Sequence, residues 1–404
     1  MATTHTISSR GLVPGIPSTT YATFGLYRYP AKFIPQVVAY ALRRFGGDGE
    51  SVFDPFAGYG TVGTVARTQG NPYELWDLNP LMPMLHRLSI MEPPDVEPHA
   101  VVQELKAHRA EFRPAWRNLE YWHHEDFLPV LGRAWDFYHG LPDAGAKDVL
   151  LVPLLKATQH HSFNDEKRQK LSQSPLSRRR IEKLLEQDWK AGFYRMLRDG
   201  MERVLKAQGQ YQAMQPRDVG HRERAEVNSL VEALDREYDI LLTSPPYLQA
   251  QEYIRRFKMD LLWLGRSEDE VRELGRMEMP YQKVEEAPIH ASTYEKYLGR
   301  IEEPHLRLLY QRYFYGVFGA LTRLQDSIRR YLLLFVGPAS VRGMPIPISQ
   351  MAVEHFGAIG WRHKTTLVDS IVSRAMFFYR ANPATGERDP RMTTEELVVL
   401  ERAV

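Results

Sequence analysis

The chain reads as an α/β fold: a mostly parallel sheet with helices on both faces, interrupted by a long helical insertion. Three observations predict it. "ESVFDPFAGYGTVGTVARTQG" (50–70) has the order strand, glycine-rich turn, helix, and "PYELWDLNP" (72–80) follows as a second strand ending in acid. Strand character returns at "EYDILLTSPPY", "RRYLLLFVGPAS", "SRAMFFY" and "TEELVVLER", the last two read as an antiparallel pair that closes the sheet. From about 96 to 224 aromatic, helix-forming and basic residues dominate without clear strands. Strands and helices alternating at such spacing call for parallel strands joined by right-handed crossovers.

Taken in order, residues 1–20 are rich in Ser, Thr and Gly and read as a flexible N-terminal arm. "YRYPAKFIPQVVAYALRRF" (27–45) is a turn leading into a helix, with Ile34, Val37, Val38, Ala41 and Leu42 on one face. Residues 21–95 and 225–404 then form one catalytic unit and 96–224 the insertion, with a shorter excursion at about 276–312. At 404 residues, 43% hydrophobic and 25% charged, the chain is globular throughout. It has no apolar run of about 18 residues and no secretory leader at its start, so a cytoplasmic protein is expected. A net charge of +2 does not announce a nucleic-acid binder, and any basic surface must come from local clustering. The absence of cysteine excludes disulfides, thiolate metal sites and cysteine nucleophiles. The histidines lack metal-ligand spacing with acids, so no metal is expected.

Gly58, Gly60 and Gly63 satisfy G-x-G-x-x-G, with Asp77 at a suitable distance for a ribose carboxylate. Alone this is weak, and a nicotinamide dehydrogenase would use the same glycines. Asp54, however, ends the strand just before them, where an acid repels a pyrophosphate and welcomes an ammonium. S-adenosylmethionine carries an ammonium and no phosphate. Asp77 would then accept the ribose hydroxyls, with Leu78 against the adenine. Strand-end acids at consecutive strands also fall where open α/β sheets bind ligands.

These motifs resemble those of S-adenosylmethionine-dependent amino-methyltransferases of DNA. "DPFAGYGT" and "DLNP" are similar to the family's motifs I and II, "TSPPY" to its catalytic motif IV, and "YRYPAKFIP" to motif X, which covers the methionine end of the cofactor. "AEVNSL" weakly resembles motif III. The resemblance covers roughly 21–95 and 225–404, and implies a Rossmann-like methyltransferase fold. It also implies S-adenosylmethionine bound by Tyr29, Pro30, Lys32, Phe33, Asp54, Phe56, Ala57, Gly58, Gly60, Thr61, Asp77, Leu78, Asn79, Asn228 and Ser229. Catalysis falls to Ser244, Pro245, Pro246 and Tyr247. The prolines stop the strand and stiffen the turn. A free carbonyl and Ser244 would hold the amino hydrogens, while Tyr247 would stack on a base extruded from double-stranded DNA.

Family members acting on adenine N6 mostly carry Asp or Asn at the position of Ser244, and those acting on cytosine N4 mostly carry Ser, so N4-cytosine is favoured. N6-adenine and RNA stay open, whereas cytosine C5 chemistry would need a cysteine. The motif order here, cofactor half first, departs from many Ser-Pro-Pro-Tyr enzymes, which leaves the recognition region unassigned by the resemblance. A cognate restriction endonuclease is a partner the resemblance allows. In the insertion, Lys167, Arg168, Lys170, Arg178, Arg179 and Arg180 form a basic cluster suited to phosphate. Arg255 and Arg256 are further candidates, although the apolar spacing around them also reads as an ordinary packed helix.

Overall fold

The computed structural model describes residues 3–30, 32–166, 168, 170–248, 252–279, 282–370 and 394–403. Its strands are β1 (Thr3–Ile7), β2 (Val52–Asp54), β3 (Tyr73–Asp77), β4 (His221–Ala225), β5 (Tyr238–Thr243), β6 (Ile328–Val336), a small hairpin of β7 (Ala339–Val341) and β8 (Met344–Ile346), then β9 (Trp361–Ser370) and β10 (Thr394–Arg402). Eight of them form one sheet in the order β1-β9-β10-β6-β5-β2-β3-β4. Pairing is parallel from β4 through β6, and β10 alone runs antiparallel, to β6 on one side and β9 on the other. The fold is a Rossmann-like α/β fold, with its topological switch between β2 and β5.

Alternation along the central strands explains why both faces are covered. Val52, Ile240, Leu242, Leu333 and Phe335 point to one side, where the helices Pro35–Phe45 and Thr61–Gln69 pack. Phe53, Leu241, Leu332 and Leu334 point to the other, against the helix Pro304–Leu324 and the helix Ile348–Ala358. Strands apolar on both sides are what a buried parallel sheet requires.

Three readings from sequence need correction. Thr3–Ile7, placed in a flexible arm, is an edge strand paired parallel with β9, and Val13 and Ile16 behind it are buried. The stretch 96–224 contains β4, which adds to the sheet beside β3. Trp361–Ser370, a segment not recognised as a strand, pairs antiparallel with β10 on the side away from β6; "SRAMFFY", the expected partner, lies outside the described residues.

The rest of the insertion is helical, from Pro98–Ala107 through the 24-residue helix Trp189–Gln212. It shares a core with the sheet domain. One hydrophobic cluster runs from Tyr27, Leu81 and Leu85 through Trp135, Leu150 and Leu154 to Phe257, Trp263 and Leu274. Polar contacts cross the same boundary: Gln208 Nε2 donates to the carbonyl of Leu88 at 3.0 Å and Tyr211 Oη to that of Thr64 at 2.9 Å. Among the described residues no helix is long and apolar enough to cross a membrane, and no cluster of His, Asp and Glu could hold a metal.

Candidate functional site

The carboxyl ends of β2, β3 and β5 open into a cleft of about 890 Å³, counting its mouth. Its position follows from topology: where strand order reverses, the connections leave in opposite directions and a crevice remains. The turn after β2 brings Phe56, Ala57 and Gly58 to the wall, and β3 delivers Asp77, Leu78 and Asn79. Gly58 has φ +57, and a side chain there would press on the Tyr29 ring at 3.2 Å, so glycine is needed for both backbone and space. Tyr29, Pro30, Lys32 and Phe33 form the opposite wall, Asn228 and Ser229 a third, and Ser244 and Pro246 reach in from the end of β5.

Two acids organise the floor. Asp77 accepts from the backbone N–H of Gly58 at 2.6 Å and of Asn79 at 2.8 Å, one on each oxygen, tying the glycine turn to the end of β3. Burial lifts its carboxyl to about 6 in spite of these donors. Each oxygen has acceptor capacity beyond its one N–H donor.

Asp54 behaves differently. It is buried at 1% exposure, off the cleft wall, and Oδ1 accepts from Thr243 Oγ1 at 2.6 Å and from the Phe56 N–H at 3.0 Å. Burial raises its carboxyl to about 7. Through Thr243 it joins the ends of β2 and β5 across the switch point. Gly60 and Thr61 also lie behind the wall: Gly60 caps the following helix with φ +81, and a Cβ there would meet His86 at 2.6 Å.

Lys32 is the most unusual group in the cleft. Its ammonium is buried without a hydrogen-bond partner and sits 3.8 Å from the centroid of the Tyr59 ring. Burial lowers its pKa to about 7. A desolvated cation with only a ring face for company is set to receive an anion.

At the Ser-Pro-Pro-Tyr turn, Ser244 and Pro246 line the cleft while Pro245 and Tyr247 do not. The Tyr247 hydroxyl donates to Glu395 Oε1 at 3.0 Å, and its ring packs where Gly337 leaves room beyond β6. In this arrangement it braces the turn against β10. Tyr253, Ile254, Met277, Glu278 and Met279 also line it and were missed in the sequence, because no motif marks them.

The basic candidates divide. Lys167 lies outside the described residues. Arg178 and Arg179 are exposed on the helix Pro175–Leu185, Arg178 also donating to Gln173 Oε1 at 2.9 Å. Arg168 pairs with Asp165 at 3.5 Å, Lys170 with Glu252 at 2.7 Å and Arg255 with Glu252 at 3.1 Å. Arg180 turns inward and donates to the carbonyls of Ser162 and Asn164 at 2.6 and 2.9 Å. Arg256 is buried at 8% exposure. These last two sit deeper than the exposed Arg178 and Arg179.

No protein-family model and no curated protein matches the chain. Among solved structures it is similar to the rRNA methyltransferase aviRa from Streptomyces viridochromogenes, seen in two structures. The identities are 11% and 12%, with 93% of this chain and 88% of that chain covered and TM-scores of 0.30 and 0.29. At such scores the likeness carries no functional weight, and the fold rests on its own strand order.

Proposed function

We propose that the chain is an S-adenosylmethionine-dependent amino-methyltransferase of nucleic acid, with N4 of cytosine in double-stranded DNA as its favoured target. One observation carries the reading: an unpartnered, buried Lys32 and the strand-end acid Asp77 border one cleft with the edge of a Ser-Pro-Pro turn. A cation free for a carboxylate, an acid with spare acceptors for a ribose and a hydrogen-bonding Ser suit that cofactor and an amino acceptor together. A dinucleotide would use the same glycines and the same ribose acid, but it leaves the Ser-Pro-Pro turn at the cleft without work.

When bound, S-adenosylmethionine supplies an electrophilic methyl group. Lys32 would hold its carboxylate, Asp77 its ribose, and Leu78 with Val227 would flank its adenine. Ser244 and the carbonyls of the proline turn accept from the target amino group, favouring a pyramidal nitrogen whose lone pair is free to react. The prolines keep these acceptors fixed, so little ordering is left for the reactive encounter. No strong base is required, because the proton leaves a nitrogen already made cationic. Arg178 and Arg179, with the other exposed cations of the insertion, are proposed as phosphate contacts.

The test is incubation of the purified protein with unmethylated DNA and labelled S-adenosylmethionine, followed by nucleoside mass spectrometry. N4-methylcytosine is the expected product. N6-methyladenine would keep the class and overturn the base assignment made from Ser244. Cofactor binding without transfer to DNA, but with transfer to RNA, would move the substrate class.

A further inference from the structure

Glu278 belongs to no motif, yet it stands at a junction. It lines the cleft together with Ser244, Pro246 and Tyr253. It also lines a neighbouring groove between the helices Tyr253–Trp263 and Glu268–Arg276, whose walls carry Arg255, Lys258, Arg272 and Arg276. Ile254 and Glu278 are common to both. The side chain is 7% exposed, and Oε1 accepts from the Ile254 backbone N–H at 2.7 Å, which fixes the carboxyl at the start of the helix that follows the catalytic turn.

We propose that Glu278 binds the substrate as a neutral carboxylic acid, donating its proton in a hydrogen bond to the ring nitrogen beside the target amino group. This deepens the amino-methyltransferase reading and rests on it. Cytosine presents N3 beside its N4 amino group and adenine N1 beside N6, an acceptor next to a donor. A carboxylic acid presents the complementary pair, one O–H donor and one carbonyl acceptor. Uracil and guanine offer a ring N–H beside a carbonyl oxygen on that edge, so a fixed donor opposite the ring nitrogen rejects them.

The surroundings keep the acid neutral. Burial is the main cause, and the like charges of Glu252, ahead of the helix Tyr253–Trp263, and Asp77, on β3, add to it, outweighing the Ile254 and Tyr253 backbone donors. The carboxyl is pushed up to about 8. Tyr253 and Tyr29 face it from the helix and from the opposite wall, both held in the phenol form by burial. Among the described residues no basic group forms an ion pair with it.

The experiment measures transfer to single-stranded oligonucleotides bearing cytosine or adenine at saturating S-adenosylmethionine across pH 6–9, alongside calorimetric cofactor binding. In the wild type, kcat/KM should fall as pH rises through about 8, as the donor proton is lost. Glu278→Gln keeps an acceptor for the Ile254 N–H and a pH-independent donor, so that alkaline fall should disappear. Glu278→Ala should lose roughly tenfold or more in kcat/KM with cofactor affinity within about twofold. The proposal is overturned by an unchanged alkaline fall in Glu278→Gln, by wild-type transfer from Glu278→Ala, or by a loss confined to cofactor affinity. A wild-type protein that binds the cofactor and transfers to neither oligonucleotide would overturn the functional reading itself, a different outcome from any of these.

Discussion

Lys32 turns a packing detail into a pH response. Below about 7 its ammonium is charged in the free protein; above that, burial leaves it neutral. A carboxylate ligand needs the charged form, so S-adenosylmethionine affinity should weaken as pH rises beyond 7. In Lys32→Met the affinity should drop by roughly ten- to a hundredfold and lose its pH dependence, as titration calorimetry at pH 6 and 8.5 would reveal. Asp54 predicts an effect on stability instead. Its folded pKa of about 7 exceeds the ordinary 3.8, so the folded state holds a proton that the unfolded chain releases across that window. Its contribution to stability therefore falls as pH climbs from about 4 to 7. Asp54→Asn should remove that slope, raising stability relative to wild type on the order of a few kcal/mol more at pH 8 than at pH 5; equal differences in melting at both pH values would refute it. At this scale the sequence identifies which residues reach the carboxyl edge, since each ends a strand. It does not say which way a side chain turns. Asp54 and Tyr247 found partners in Thr243 and Glu395, residues distant in sequence whose approach depends on strand order.

Among elements, the basic helix Pro175–Leu185 separates binding from structure within two adjacent residues. Arg179 is exposed and Arg180 is tied to two carbonyls of the preceding loop. Arg179→Ala should leave the melting temperature unchanged and lessen the salt dependence of DNA binding by about one counterion, read from the slope of log affinity against log salt. Arg180→Ala should cost about 1–3 kcal/mol of stability, since two buried carbonyls lose their donor. The helix Pro35–Phe45 was legible because its apolar residues repeat at helical spacing and that face meets the sheet. The strands β4 and β9 were not. "HRERA" is an edge strand with its first residue exposed and the rest partly covered, and "WRHKTTLVDS" mixes polar residues along its length, so neither carries the apolar run that marks the centre of the sheet.

For the molecule as a whole, the shared core makes the insertion inseparable. Excising residues 98–212 would uncover Leu81, Leu85, Phe257 and Trp263, each worth about 1.5–3 kcal/mol on burial. Those four alone would lose about 6–12 kcal/mol, as much as the net stability of an ordinary domain, so the excised protein should lack a cooperative thermal transition by circular dichroism. A folded remnant would mean that the helices are an appendage. The alternation of strand and helix was readable at this scale because parallel sheets impose it. The merging of insertion and sheet domain was not, because contacts between segments so far apart leave no local pattern.

The position of β10 inside the sheet has a consequence for how the chain acquires its shape. β6, with its run of apolar residues, is an edge until β10 arrives, and β9 with β1 can join only through β10. The half of the sheet from β4 to β6 can therefore assemble early, while the other half waits for residues 394–402. Such distant pairings close slowly. During synthesis the nascent protein must carry an unpaired apolar strand edge, a surface prone to pairing with other chains. The order of strands thus makes the period before completion, rather than the finished fold, the stage most in need of a chaperone.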